Sequence, residues 1–368
     1  MKKMILRVLL ALLLLVLLAA AGFGVLYAGR LRTVNSIEKI TDYSDYNLYR
    51  MDVRYDYSID DVINYGITDN QSMIDAILKE TLPLLPIHMK APQFGCSAFA
   101  TVQDRHIVMG RNYDFKRESS PLLVYCSPKG GYKSVALAAL DNISANQPDV
   151  SMAKKLACLT APFICLDGMN EKGVSIAVLT LDSEPVNQDT GKQKIFTTLA
   201  IRLVLARAAT TQEAVDLLDS YDMLAPSGRD YHFFVTDAAG DARVIEYDPE
   251  QEGRPLRWTA MPAITNFYGC YAYLVQPNQK NGIYGHGKER YDAIMDVLAM
   301  RDADGNIPEG TAWRALQASA QDPNPEDVTS NTQWSLVYDD TALTAQIALR
   351  RNWDDVIHYD LNTNTIGG

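Results

Sequence analysis

Gly95-Cys96-Ser97-Ala98-Phe99-Ala100-Thr101 … Gly110-Arg111-Asn112-Tyr113-Asp114-Phe115 is the stretch on which the fold turns. Its arms, Ser97 to Val102 and Ile107 to Arg111, flank Gln103-Asp104-Arg105-His106, so it reads as a β-hairpin. With the turn centred near residue 104, Cys96 faces roughly Asn112, and Arg111 and Asp114 become neighbours of the sulfur. Side chains alternate faces along a strand, and 111 and 114 have opposite parity. Both reach Cys96 only if the strand bulges or ends near Asn112.

An arginine beside a cysteine lowers the thiol pKa from about 8.5 and raises the thiolate fraction. An aspartate there acts the other way unless a cation partners it. Were Cys96 the first residue of a mature chain, its own α-amino group would be that cation. Such an amine, with a pKa of about 7.7–8.0, suits general-base work on the thiol. The residues alone leave a second reading open, a buried strand cysteine with Arg111 and Asp114 as a surface ion pair.

The hairpin texture continues outward. Ile164 to Asp167 with Val174 to Leu181, Tyr231 to Thr236 with Ala242 to Tyr247, and Trp334 to Tyr338 with Ala345 to Arg350 each flank a turn. Helical periodicity appears over Phe196 to Ala208, over Gln212 to Leu218 behind Thr210-Thr211-Gln212-Glu213, and over Lys288 to Met300. Antiparallel hairpins interleaved with helix pairs predict an α+β protein, two sheets sandwiched by helices. Two more helices are expected over residues 58–86. The first is capped at Ser58; the second carries Met73, Ile74, Ile77, Leu78 and Leu82 and is stopped by Pro83 and Pro86. Residues 31–57, polar and Tyr/Asp-rich, suit a linker.

At the N-terminus, Lys2, Lys3 and Arg7 precede an unbroken apolar run from Val8 to Ala28. About twenty residues at ~1.5 Å rise span a hydrocarbon core of ~30 Å. The length favours an uncleaved anchor; Ala19-Ala20-Ala21 suits the competing signal-peptide reading. Either way the body is expected outside the cell, single-pass on the membrane or secreted. The domain expectation is 1–30 anchor or signal, 31–95 linker and helical pro-segment, and 96–368 the catalytic domain.

The 368 residues, 47% apolar and 21% charged, are enough for a sizeable core and exclude a disordered chain. Net charge is −11, and no acidic residue lies in residues 1–30, so the body is more acidic still. Nucleic acid is not an expected partner. Cys96, Cys126, Cys158, Cys165 and Cys270 are odd in number, leaving at least one thiol unpaired, and the spacing does not decide the rest. His88, His106, His232, His286 and His358 lack ligand spacing, so neither a metal nor another cofactor is expected.

The hairpin motif, Gly95-Cys96-Ser97 with Gly110-Arg111-Asn112-Tyr113-Asp114-Phe115, resembles the start of the linear amide C–N hydrolases. These are N-terminal-nucleophile enzymes that include choloylglycine (bile salt) hydrolases and penicillin V acylases. Asp167-Gly168-Met169-Asn170-Glu171-Lys172-Gly173-Val174 resembles the family's D-x-x-N-E-x-G-L turn. Ile264-Thr265-Asn266 resembles its later T-N, and Gly287-Lys288-Glu289-Arg290-Tyr291 its S-x-x-R-F, so the likeness spans about residues 95–360. It implies an αββα sandwich with Cys96 as nucleophile, Arg111 against the sulfur and Asp114 holding the α-amino group. Asn266 would line the oxyanion hole, and Arg290 would organise the charges around the nucleophile.

Two departures shape the expectation. Thr180 stands where bile salt hydrolases carry Asn and penicillin V acylases Tyr, so neither substrate is implied for this oxyanion or substrate-wall position. Ninety-five residues precede the cysteine, so the N-terminal route requires scission of Gly95–Cys96. The expected activity is that of an exported, self-processing amidase acting on a linear acylamide through an acyl-thioester. An acyltransferase using the same thioester, and a non-catalytic membrane-anchored binding protein, are the alternatives. Phe267, with Tyr268, Tyr271 and Tyr273, suits either an acyl-pocket wall or the core.

Overall fold

The computed structural model describes residues 2–44, 46–83, 95–115, 119–225, 228–279, 282–324, 326 and 330–367. Residues 84–94, the end of the expected pro-segment with Pro86 and His88, lie outside the described residues.

The motif hairpin forms as read. Strand Gly95–Gln103 pairs antiparallel with His106–Asp114, and Asp104 and Arg105 make the connection with φ of 52° and 67°. Two residues with positive φ match the right-handed twist of the flanking strands. The register differs by one from expectation: Cys96 pairs with Tyr113, and Asn112 pairs with Ser97. The turn is the tightest two-residue type, which moves its centre half a residue towards the C-terminus.

This hairpin sits in a seven-stranded sheet ordered Ala263–Ile264, Gly95–Gln103, His106–Asp114, Thr332–Asp339, Thr344–Leu349, Ile357–Asp360 and Thr365–Gly367. The other large sheet has nine strands, in the order Glu38–Lys39, Tyr49–Asp52, Pro121–Cys126, Ser134–Ala139, Cys165–Asn170, Val174–Leu181, Asp230–Asp237, Ala242–Tyr247 and Leu256–Ala260. Strand Gly95–Gln103 lies against Val174–Leu181 and Asp230–Asp237, so the two sheets face each other. Helices Thr197–Arg207 and Thr211–Asp219 cover the outside of the nine-stranded sheet, and Lys288–Ala299 and Thr311–Ser319 that of the other. The layers are helix, sheet, sheet, helix, as expected. A strand in such a sandwich is covered on both faces, which is why all eight residues of Val174–Leu181 are buried instead of alternating. Each fully buried Val, Ile or Leu there contributes about 1.5–3 kcal/mol.

Residues 31–57 are more than a linker. The N-terminal helix runs to Val34, and Glu38–Lys39 and Tyr49–Asp52 build the edge of the nine-stranded sheet, Tyr49–Asp52 running parallel to Pro121–Cys126. Leu48, Tyr49 and Met51 are buried in the main core, and the alternation Tyr49-Arg50-Met51-Asp52 was a strand signal hidden by its polar surroundings. The helices Ile59–Asn64 and Asn70–Thr81 form behind Ser58 and Asp69 caps. Arg30, buried at the end of the N-terminal helix, donates to Thr81 O at 2.7 Å and Glu80 O at 2.6 Å. It thereby caps the exposed carbonyl end of Asn70–Thr81. The helix segment Met4–Val34 is long and apolar enough to cross a membrane, with Met4 to Leu18 exposed.

None of the five cysteines is paired; Cys96, Cys126, Cys158 and Cys165 are buried and Cys270 is half-buried. The two sheets are also joined through Asp340, whose buried carboxyl accepts hydrogen bonds from Ser175 and from Thr236 Oγ1 at 2.6 Å. Burial raises its pKa from 3.8 to about 8. The folded chain therefore holds a proton there that the unfolded chain has already released, and stability declines as pH rises from about 4 to about 8. Melting temperatures across pH 5–8 are expected to fall less steeply in Asp340→Asn than in the parent.

Candidate active site

Because the hairpin register is unbroken, Cys96, Arg111 and Tyr113 share the face towards the nine-stranded sheet, while Asn112 and Asp114 face the helical layer. The expected bulge at Asn112 is absent from this pairing; the irregularity lies one strand over, between Thr332 and Trp334 opposite Asp114 and Tyr113. Parity accordingly divides the two charged residues. Arg111 Nη2 donates to Cys96 Sγ at 2.9 Å. Asp114 instead accepts from Thr332 Oγ1 at 2.6 Å and Gln321 Nε2 at 2.9 Å, and lies 3.6 Å from Arg290 Nη1. It stands opposite Gly95 in the pairing, on the face away from the sulfur.

Arg111 is wholly buried and does more than touch sulfur. Nη1 forms an ion pair with Asp167, and Nη2 also donates to Val178 O at 3.0 Å. Asp167 is held in turn by Tyr338 OH at 2.7 Å. The first residue of the Asp167-to-Val174 motif thus supplies the counter-ion to Arg111, a role the sequence reading did not assign. Asn170, the fourth, folds the turn: its Oδ1 accepts from Lys172 N and Val174 N, and its Nδ2 donates to Leu205 O and Ala208 O.

Asn266 lies on the other side of Cys96. Its Oδ1 accepts from Arg290 Nη2 at 2.7 Å and from Cys96 N at 3.4 Å, while its Nδ2 donates to Thr180 O at 2.8 Å. Arginine only donates and a carbonyl only accepts, so the orientation of the amide is fixed by its partners. Arg290 Nη1 further donates to Cys96 O at 3.1 Å. Thr180 is buried, and its Oγ1 has no hydrogen-bond partner among the described residues. Phe267 is buried edge-on against Tyr291, with ring centres 5.4 Å apart. Tyr268 is buried too, whereas Tyr273 is exposed.

Two glycines make this corner possible. A side chain at Gly285 would collide with Asn266 O and Phe267 Cα, and one at Gly287 would collide with the Arg290 guanidinium. Both adopt positive φ, 107° and 84°. Gly287 is the position at which this chain departs from the serine of the family motif.

Electrostatics at the sulfur run against the simple expectation. Burial pushes the Cys96 thiol up to about 11; the Arg111 guanidinium pulls it down, and the charge of Asp114 adds to the rise. Cys96 is wholly buried, and desolvation outweighs one arginine already shared with Asp167. Burial likewise raises the Asp114 and Asp167 carboxyls against the pull of Arg290 and Arg111.

Residues 96–252 match the family model of the linear amide C–N hydrolases, choloylglycine hydrolase family. The match covers 157 of the 368 residues and is a likeness to that family over this part of the chain. These hydrolases act on carbon–nitrogen bonds other than peptide bonds. Two variants of the conjugated bile acid hydrolase from Clostridium perfringens superpose on this chain with a TM-score of 0.52 at 16% identity. They cover 74% of it and 95% and 96% of their own chains. Penicillin V acylase from Agrobacterium tumefaciens has the same score and identity, covering 73% of this chain and 86% of its own. At that identity the likeness is one of fold, the αββα N-terminal-nucleophile sandwich. No curated protein matches the chain.

Breaking the Arg111–Asp167 pair from one side leaves an uncompensated buried charge, which costs about 3–5 kcal/mol. Urea unfolding of Arg111→Met is expected to show a loss of that order, and the double variant Arg111→Met/Asp167→Asn to recover part of it.

Proposed function

We propose that the chain is an exported cysteine-nucleophile amidase that hydrolyses a linear acylamide through an acyl-thioester, activated by scission of Gly95–Cys96. The observation that carries this reading is that one residue is addressed at both of its reactive atoms. Arg111 meets Cys96 Sγ at 2.9 Å, and Asn266 Oδ1 meets Cys96 N at 3.4 Å.

In the uncut chain the Cys96 nitrogen is an amide without basic character, and the thiol is buried and protonated at neutral pH. That is a latent enzyme. For self-processing, Sγ attacks the Gly95 carbonyl carbon, the C–N bond breaks as the nitrogen takes up a proton, and water hydrolyses the resulting thioester. The products are a Gly95 carboxylate and a Cys96 with free thiol and free amine. The nitrogen so released begins beside Asp114, which stands opposite Gly95. A terminal amine with a pKa of about 7.7–8.0 then accepts the thiol proton as sulfur attacks the substrate amide. The Asn266 Nδ2 carries two hydrogens, one bonded to Thr180 O and the second available to the oxyanion. The protonated amine passes its proton to the leaving nitrogen, and water releases the acid. Thr180 Oγ1, buried and without a partner among the described residues, suits a polar contact to the acyl group.

The N-terminal piece is expected to stay docked after scission, since Leu48, Tyr49, Met51, Val62, Ile63, Met73 and Ile77 belong to the main core. Through Met4–Val34 it would hold the body on the outer face of a membrane. Deleting residues 1–26 is expected to move the protein from the membrane to the soluble fraction without loss of amidase activity.

Mass spectrometry of purified protein is the direct test: a body chain beginning at Cys96, absent in Cys96→Ala. Full amidase activity from an intact chain would refute the mechanism. For the processed form, kcat/KM is expected to rise with pH and reach half its plateau near the amine pKa of about 8, because only the neutral amine accepts the thiol proton.

A further inference from the structure

We infer that the buried pair His232 and Glu246 positions Asn266, and so governs how well that amide meets the transition state. The inference rests on the reading of Asn266 as oxyanion donor. Asn266 and Phe267 form a strand of two residues, paired only with Gly285–His286. A two-stranded ribbon is marginal on its own in water, so the backbone that carries the Asn266 amide needs a restraint from outside the ribbon.

The missing restraint comes from the nine-stranded sheet. His232 on Asp230–Asp237 and Glu246 on Ala242–Tyr247 lie one step beyond the Phe233–Ile245 pair, directly across from each other. Both are wholly buried. His232 Nε2 bonds Thr265 O at 2.9 Å, and since a carbonyl only accepts, Nε2 carries the hydrogen. The Glu246 carboxylate accepts from Gly269 N at 2.9 Å and from Cys270 N at 2.7 Å. His232 Nδ1 stands 3.7 Å from Glu246 Oε2. The pair therefore grips the backbone on both sides of Asn266, the carbonyl immediately before it and two N–H groups three and four residues after. Asp230, two residues before His232 and on the same face, takes a hydrogen bond from Tyr268 OH within the same segment.

Burying a carboxylate and an imidazole is costly unless both are satisfied. Among the described residues their side-chain hydrogen bonds go to the segment that carries Asn266. Neither residue lies in a family motif quoted above. They are positioning residues that act through Asn266, and transition-state geometry is the property they should move.

The test uses self-processed full-length protein and a panel of N-acyl aminomethylcoumarins, with kcat, KM and the iodoacetamide rate of Cys96 read in parallel. Asn266→Ala is expected to lose about 10²–10³ in kcat, as for removal of one oxyanion donor. His232→Leu and Glu246→Gln should each lose roughly 10–100-fold in kcat, with KM within about twofold and the Cys96 labelling rate unchanged. His232→Gln, which keeps an N–H at a similar reach, should recover most of the loss, and it carries the test if the leucine variant does not fold. Parental kcat in His232→Leu and Glu246→Gln, with Asn266→Ala impaired, would overturn the positioning role alone. Equal losses in kcat, substrate binding and Cys96 labelling, with no recovery in His232→Gln, would also overturn it. Full activity in Asn266→Ala would instead overturn the oxyanion reading.

Discussion

The arrangement depends on one buried guanidinium placed between two sheets. Arg111 projects from the seven-stranded sheet and is received by the nine-stranded one, through Asp167 and the carbonyl of Val178, while its other face meets Cys96. An arginine in such a place must be matched at several donors, because an unmatched buried charge costs more than the fold can spare. Satisfying it fixes the distance between the sheets, the direction of the cysteine and the position of the strand Val174–Leu181. Thr180 of that strand then presents its carbonyl to Asn266. The corner around Cys96 is in this sense a by-product of solving the electrostatics of Arg111.

A second corner, built from Arg290, is organised on the same principle with different partners. Arg290 reaches Cys96 O, Asn266 Oδ1 and the neighbourhood of Asp114 from the helical layer. Two arginines thus meet residue 96, Arg111 from the neighbouring strand at the sulfur and Arg290 from the helical layer at the main chain. Burial nevertheless keeps the thiol protonated. Charge placement and reactivity are separable here, and what stands between them is solvent access together with the state of the Cys96 nitrogen.

Local sequence signals carried the hairpins and helices well. The polar turn at Asp104-Arg105, the caps at Ser58 and Thr210, and the stripe over residues 70–81 each act within a few residues, and each element formed where its signal lay. Helix Thr311–Ser319 and the strands within residues 31–57 were not anticipated. Their apolar residues are few and mixed with polar ones, and only packing on the finished sheets makes them regular. Parity along the hairpin predicted that Arg111 and Asp114 could not both meet the sulfur without a bulge. The unbroken register gives the sulfur to Arg111 and turns Asp114 to the opposite face, towards Arg290.

The sequence by itself determined that Cys96 and Arg111 are neighbours on a hairpin, that two sheets lie between helices, and that an apolar segment precedes them. These follow from turn chemistry and periodicity, which are short-range. Only the tertiary structure decided that Asp167 neutralises Arg111, that Arg290 and Asn266 converge on the main chain of Cys96, and that His232 and Glu246 brace the Asn266 segment. Those contacts join residues 23 to 194 positions apart. No local preference encodes them, because each exists only where two separately folded layers bring unmatched buried donors and acceptors within reach of one another.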